Sequence, residues 1–252
     1  MGRLAAAFGF SEGASAGKRM AQNAIAPILL YHRFDPRLAT TPWTMVTGVF
    51  QDQLNWLGEN DYRIVTLRSA VQRRLAKSPM DGPRDIAISV DDGDATVYSE
   101  LFPIIKAHRV PVTLFVFPYA ISCSADAVTW DQLKEMVESG LVDVQFHTLS
   151  HPDFRYERSR RTPANYRAFV AFELTHLRDF LEERLDLAVD QLAWPFGIYD
   201  EELEGIAAAC GYAAAFAVKT NTPNENSIYA IPRVTVTNRD IGRKLGTRIA
   251  SP

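Results

Sequence analysis

The chain has 252 residues, of which 47% are hydrophobic and 23% charged, and this composition excludes a disordered or fibrous protein. The net charge of −3 argues against nucleic acid as the main partner, because no excess of Lys and Arg is available to displace counterions. Two cysteines are too few for a disulfide scaffold, and no apolar run approaches the roughly 18 residues of a transmembrane segment.

The two ends of the chain differ in composition from its middle. Residues 1–26 are rich in Ala, Gly and Ser, and the short apolar run within them is followed by Glu12, which favours a flexible segment over a signal peptide. Residues 239–252 are basic and contain glycine, which predicts a loosely attached tail. We therefore expect one domain over residues 27–238 and a cytoplasmic protein.

Short apolar runs alternate with segments in which apolar residues recur every three or four positions. The runs predict strands at 28–31, 64–67, 86–90, 112–117, 142–146, 191–194, 213–218 and 232–236. The segments between them predict helices with apolar stripes at 50–57, 101–105, 133–137, 166–185 and 203–210. Strands that alternate with helices are typical of a parallel sheet, and about seven or eight such units favour an α/β barrel over an open sheet.

Side chains that can act as metal ligands, acids or bases directly follow several of these strands. Asp91 and Asp92 follow the strand at 86–90, His147 follows the strand at 142–146 with His151 four residues later, and His32 follows the first strand. The carboxyl ends of parallel barrel strands open on one rim, so we expect these five side chains to meet there.

Two imidazoles, one carboxylate and an open position for water form a common zinc arrangement in enzymes. Asp92, His147 and His151 would supply it, and a bound water would be acidified from a pKa of about 15.7 towards 7. Asp91 would then remain free to accept the proton of that water. Two simpler interpretations stay open: Asp-Asp-Gly is ordinary turn chemistry, and the two histidines are unrelated surface residues.

At these positions the chain resembles the polysaccharide deacetylases, carbohydrate esterase family 4. The segment 89–93 reads Ser-Val-Asp-Asp-Gly against Thr-Phe-Asp-Asp-Gly in the family, and 147–151 matches its His-Ser/Thr-x-x-His motif. The segments 28–34, 194–197 and 231–234 resemble the branch that includes biofilm poly-N-acetylglucosamine deacetylases. The resemblance covers residues 27–237.

This resemblance implies a distorted (β/α)7-type barrel with parallel strands and a metal-dependent hydrolase that removes N-acetyl groups from an amino-sugar polysaccharide or oligosaccharide. It implies Asp91 as general base, the three ligands named above, and zinc as the metal, with nickel or cobalt as alternatives. The backbone N–H of Phe196 would stabilise the oxyanion. In the branch with a rearranged chain order, the general acid corresponds to His32, for which a purely structural role is the alternative.

Some residues depart from the family pattern. Val90 replaces an aromatic residue, and Asp94 adds a negative charge after the glycine. Trp194 and Arg233 are predicted to contact substrate, and Arg233 has two further interpretations, as the partner that orients Asp91 or as a rim salt bridge. A deformylase, a cyclic-ureide amidohydrolase and a carbohydrate-binding protein with a decayed site remain as alternative functions.

Overall fold

The structure is a computed structural model that describes residues 26–76, 84–218 and 227–250. The flexible segment predicted at 1–26 therefore lies outside the described residues, apart from Ala26. Within the described ranges, no helix combines the length and the apolar character that crossing a bilayer requires.

Ten strands form within the described residues. They are β1 Ile28–Tyr31, β2 Arg33–Asp35, β3 Thr44–Val46, β4 Tyr62–Ile64, β5 Arg84–Val90, β6 Val112–Val116, β7 Val142–Phe146, β8 Gln191–Ala193, β9 Ala214–Val218 and β10 Ile231–Thr235. Seven of them follow the order β1-β10-β9-β8-β7-β6-β5, and the ring closes because β5 also pairs with β1. All neighbours in this ring are parallel, which confirms the predicted (β/α)7 barrel.

Helices cover the outside of the barrel. The described residues form α1 Thr47–Glu59, α2 Leu67–Ala76, α3 Phe102–His108, α4 Trp130–Glu138, α5 Phe154–Ser159, α6 Pro163–Thr175, α7 Arg178–Leu185, α8 Glu201–Ala209 and α9 Arg243–Ala250. Several of them begin with a side-chain cap: Thr129 forms a capping box with Gln132, and the Asp200 carboxylate accepts from the backbone N–H of Leu203. A π-helical turn, Val97–Leu101, precedes α3.

Successive side chains of a β-strand point to opposite faces, so the apolar side chains of the barrel strands form two separate layers. Ile86, Ile88 and Val90 of β5 pack in the large cluster that lies under the helices. Ala87 instead packs in a second cluster that includes Phe115 and Phe216, whose rings lie 5.6 Å apart. We assign this second cluster to the barrel interior. The inward-facing register of β5 therefore runs through Ala87 and Ser89 to Asp91 at the rim.

Three sequence predictions need correction. The strand expected at 64–67 is β4, and Leu67 already belongs to α2. The apolar stripe at 166–185 is split into α6 and α7, because Leu177 takes a left-handed φ of 64° between them. The basic segment after Arg239 is not loosely attached: α9 buries Leu245 and Ile249 in the core, so an amphipathic stripe was overlooked there.

Candidate functional site

The two acids after β5 point in different directions. The backbone N–H of Asp91 donates to the carbonyl of Tyr31 at 3.0 Å, which ties the end of β5 to β1. The Asp91 carboxylate continues the inward register of β5 and is buried. Asp92 takes a left-handed φ of 76°, and its side chain remains 42% exposed. The backbone turn thus separates one carboxylate that is enclosed by protein from one that faces the barrel mouth.

His147 follows β7 with its ring orientation fixed by a hydrogen bond. Its Nδ1 lies 2.8 Å from the carbonyl oxygen of Ala193. A carbonyl only accepts, so Nδ1 carries the proton and Nε2 is the atom presented to the rim. This backbone carbonyl is the kind of partner that orients histidine ligands in metal sites.

His151 reaches the same place through a strained turn. Thr148 and His151 both have left-handed φ angles, 66° and 57°, and the backbone N–H of His151 donates to the Thr148 hydroxyl at 3.1 Å. The buried carboxylate of Glu173 in α6 accepts from both the backbone N–H and the hydroxyl of Ser150, at 3.0 and 2.8 Å. These contacts offset the cost of the turn and hold both imidazoles on one side of it.

Sequence reasoning overlooked Glu173. Its signal was an acid within the apolar stripe of α6, between Val170 and Leu174, where a buried carboxylate needs hydrogen-bond partners.

Asp92, His147 and His151 form a compact group, as the sequence predicts. Asp92 Oδ1 lies 3.5 Å from the Nε2 atoms of both histidines, and the three ligand atoms are all within 4.8 Å of one another. Tetrahedral zinc with bonds of about 2.0–2.2 Å places its ligand atoms roughly 3.3–3.6 Å apart. The donor chemistry and the two separations of 3.5 Å from Asp92 therefore fit a divalent cation.

The electrostatics of this group keep Asp92 and His151 free of an added proton but favour protonation of His147. Burial opposes the charge on Asp92, but hydrogen bonding and attraction to His147 outweigh it and hold its pKa well below the ordinary value. Burial and repulsion from His147 lower the pKa of His151 to about 4. Burial also opposes protonation of His147, yet Asp91 and Asp92 raise its pKa overall. A bound divalent cation would replace the added proton on His147 and supply the positive charge next to Asp91 and Asp92.

Arg233 contacts Asp91 rather than substrate, so its assignment as a substrate-binding residue is wrong. The guanidinium is fully buried, and its two Nη atoms donate to the two Asp91 oxygens at 2.6 and 2.7 Å. Burial opposes ionisation of Asp91, but Arg233 and His147 outweigh it, so the pKa of Asp91 lies below its ordinary value. This is the orienting role that the sequence left open for Arg233.

Trp194 was also predicted to face substrate, and this is wrong as well. Its indole is 0% exposed, its Nε1 donates to the carbonyl of Tyr229 at 2.8 Å, and Phe154 packs edge-on against it. Two residues later, Phe196 takes a left-handed φ of 57° and leaves its ring 58% exposed, 4.6 Å from the His151 ring. The turn Pro195–Gly197 therefore exposes Phe196 at the rim and leaves Trp194 in the core.

His32 lies beside the same group, on the β1 side. Its ring is half-buried and packs against Trp43, with ring centroids 4.8 Å apart. Burial lowers its pKa, while Asp91 and Asp92 act in the opposite direction. His32 is thus close enough to both acids to interact with them electrostatically.

The two departures from the family pattern leave the group intact. Val90 is buried in the apolar core. Asp94 pairs with Arg33 at 2.6 Å and accepts from the backbone N–H and hydroxyl of Thr96, so its added charge is locally balanced.

Comparison with known proteins agrees with this architecture. The sequence model of the family described as "Polysaccharide deacetylase" matches residues 79–215, more than half of the chain. The poly-beta-1,6-N-acetyl-D-glucosamine N-deacetylase of Staphylococcus aureus is 24% identical over 196 residues, which cover 75% of this chain and 66% of that protein. The Staphylococcus epidermidis protein of the same name is 25% identical over the same shares. The chain thus spans slightly less than two thirds of the length of these curated relatives.

Two solved structures share the fold. IcaB from Ammonifex degensii superposes with a TM-score of 0.75 at 24% identity, covering 90% of this chain and 97% of that one. The Streptococcus pyogenes deacetylase PplD, solved in complex with acetate, superposes with a TM-score of 0.77 at 20% identity over 89% and 97%. From the family match and the barrel that carries its two motifs, the chain belongs to the polysaccharide deacetylase family.

Proposed function

We propose that this protein is a divalent-metal-dependent hydrolase that removes N-acetyl groups from an amino-sugar polysaccharide of the poly-β-1,6-N-acetylglucosamine type. The substrate class rests on the names of the staphylococcal relatives. The chemistry rests on one observation above all: a buried carboxylate, Asp91, lies beside the Asp92, His147 and His151 group without belonging to it.

Asp92, His147 and His151 are the residues that would hold the cation. Zinc is the proposed ion, with nickel or cobalt as alternatives, because imidazole and carboxylate ligands suit all three. When bound, such a cation acts as a Lewis acid towards a carbonyl oxygen and towards water.

Asp91 is the proposed general base. Its Oδ2 lies 3.8 Å from His147 Nε2, so a water at the mouth of the group would be within its reach. The low pKa keeps Asp91 ionised at neutral pH, and the two-point contact with Arg233 stops the carboxylate from rotating. A fixed, ionised acceptor next to the attacking water is what proton abstraction requires.

His32 and Phe196 complete the proposed mechanism from the two sides of the group. His32 would donate a proton to the departing amine as the carbon–nitrogen bond breaks. The backbone N–H of Phe196 would donate to the oxygen that becomes negative when water adds to the acetyl carbonyl. The products are acetate and a free amino sugar.

The interpretation as a decayed carbohydrate-binding protein has lost its support. It rested on Val90 and Asp94, and these residues fill the core and pair with Arg33, respectively. Neither removes a proposed ligand or the proposed base.

The test measures acetate release from a β-1,6-linked N-acetylglucosamine pentamer, together with the zinc content of the purified protein. We expect Asp91→Asn to keep zinc and to lose about 10²–10⁴-fold in kcat. His147→Ala should lose zinc and activity together. Asp143→Asn is the matched control, because Asp143 is a partly buried acid near the opposite end of β7, and it should preserve both properties.

Other outcomes would contradict the proposal. Full activity of Asp91→Asn would refute its role as the base. Release of formate from an N-formyl analogue, without acetate release from the pentamer, would favour the related deformylase. Opening of a cyclic ureide under the same conditions would favour the amidohydrolase.

A further inference from the structure

Two exposed aromatic rings flank the candidate site, each packed on one of its imidazoles. Trp43 packs on His32 with ring centroids 4.8 Å apart, and Phe196 packs on His151 at 4.6 Å. The two rings are 53% and 58% exposed, so both present apolar surface to solvent beside the site.

The two rings stand on opposite walls of the barrel. Trp43 precedes β3 and reaches His32 at the end of β1, whereas Phe196 follows β8. In the closed ring, β10 and β9 separate β1 from β8 on one side, and β5, β6 and β7 separate them on the other. A linear molecule that crosses the mouth over the metal-binding group would meet one ring before this group and the other after it.

Trp43 is held in its exposed position by the backbone around it. Its carbonyl accepts from the backbone N–H of Arg33, and its own N–H donates to the Thr41 hydroxyl at 3.2 Å. The short parallel pair of β2 and β3 continues this attachment through Arg33 and Thr44. These contacts fix the backbone that carries the indole, and the His32 ring packs against the indole itself.

We propose that Trp43 is a sugar-binding platform for the unit next to the one that reacts, so that the protein recognises a chain of amino sugars rather than a single one. The apolar face of a pyranose ring, which carries C–H groups, would lie on the exposed indole while a neighbouring N-acetyl group reaches the site. This inference rests on the proposed function, and it adds a residue that selects substrates by their length.

The test compares kcat/KM for acetate release from N-acetylglucosamine and from the β-1,6-linked pentamer. Trp43→Ala should lower kcat/KM for the pentamer at least about tenfold and change the value for the monosaccharide less than about twofold. Trp43→Phe keeps a flat ring and should retain most of the activity on the pentamer. Trp43→Leu keeps apolar bulk against His32 but has no flat face, so it should behave like the alanine variant.

Phe172→Ala is the matched control. Phe172 is a 48% exposed aromatic residue stacked on a histidine, His176, at 4.5 Å, but it lies in helix α6. Its loss should leave the ratio of the two kcat/KM values unchanged. Equal losses on both substrates in Trp43→Leu would overturn the proposal, because Trp43 would then act only by packing on His32. Unchanged activity on the pentamer in Trp43→Ala would overturn it too.

Direct binding separates this inference from the proposed function. The pentamer is titrated into Asp91→Asn and into Asp91→Asn/Trp43→Leu, and dissociation constants are measured by calorimetry. We expect the second protein to bind at least about tenfold more weakly. If the wild type released no acetate from either substrate, the proposed function would fail, and this titration would still decide whether Trp43 binds the sugar chain. Equal dissociation constants would refute the platform.

Discussion

Replacing Arg233 by Met should strongly destabilise this protein and thereby test how the site is held together. Arg233 is fully buried and makes two hydrogen bonds, of 2.6 and 2.7 Å, to the buried Asp91 carboxylate. Methionine fills much of the same volume but leaves that carboxylate without its cation. His147, whose Nε2 lies 3.8 Å from Asp91, would compensate only partly.

The magnitude follows from the burial. Removing one partner of a buried ion pair leaves an uncompensated charge and typically costs about 3–5 kcal/mol of unfolding free energy. Arg68→Met is the matched control, because the Arg68 and Asp190 side chains are 37% and 33% exposed and pair at 2.8 Å. A pair so open to solvent should contribute no more than about 1 kcal/mol.

The pH dependence has a definite sign. In the wild type the pKa of Asp91 is depressed, so this carboxylate contributes stability above its unfolded pKa of about 3.9, and the contribution is lost as the pH falls through the folded pKa. In Arg233→Met, burial without the guanidinium should raise the pKa of Asp91 above the unfolded value. The variant then gains stability as Asp91 takes up a proton. The difference between the two proteins should be largest near pH 7 and smaller towards pH 5.

Urea unfolding of the metal-free proteins, followed by circular dichroism between pH 5 and 8, measures these quantities. Asp91→Asn in the Arg233→Met background should recover part of the lost stability, because it removes the stranded charge. A loss below about 1 kcal/mol at pH 7, or a double variant no more stable than Arg233→Met, would refute this account of the pair.

Three further changes test other parts of the structure. Trp194→Ala should lower the free energy of unfolding in urea by about 3–5 kcal/mol and leave KM unchanged at temperatures where the variant is folded. A raised KM would show that Trp194 contacts the substrate. Gly197→Ala should cost about 2–4 kcal/mol, because φ is +67° and the new Cβ would lie 2.9 Å from atoms of Val218; thermal unfolding at the wild-type temperature would contradict this. Asp94→Asn should change zinc affinity less than about tenfold in a calorimetric titration, because Arg33 already balances Asp94; a larger change would show that its charge reaches the ligands.

Much of the site was predictable because its residues follow buried strands. The run 112–117 is apolar enough to predict a strand covered on both faces, and the segments 86–90 and 142–146 also predict strands. Parallel strands place the residues that follow them on a common rim, so Asp92, His147 and His151 were expected to meet. Their observed separations agree with that expectation.

The errors arose where adjacent residues point in opposite directions. Trp194 is next to the rim in sequence, but its indole turns into the core, and only Phe196, after a left-handed turn, is exposed. Arg233 was assigned to substrate, with the pairing to Asp91 as an alternative, and here its side chain is fully buried against Asp91. The direction in which a side chain points depends on the local φ angles and on the partners near it, and the composition of a segment specifies neither.

The amino-acid sequence by itself determined the alternation of barrel strands with helices, the barrel class and the identity of the proposed ligands, because these depend on hydrophobic period and on residue type at strand ends. Tertiary structure alone decided that Arg233 holds Asp91, that Glu173 anchors the turn between the two histidines, and that Trp43 packs on His32. Arg233 and Asp91 meet because the closed ring places β10 and β5 on either side of β1. The other two contacts join segments that are closer in the chain, and they depend on how α6 and the loop before β3 pack at the rim.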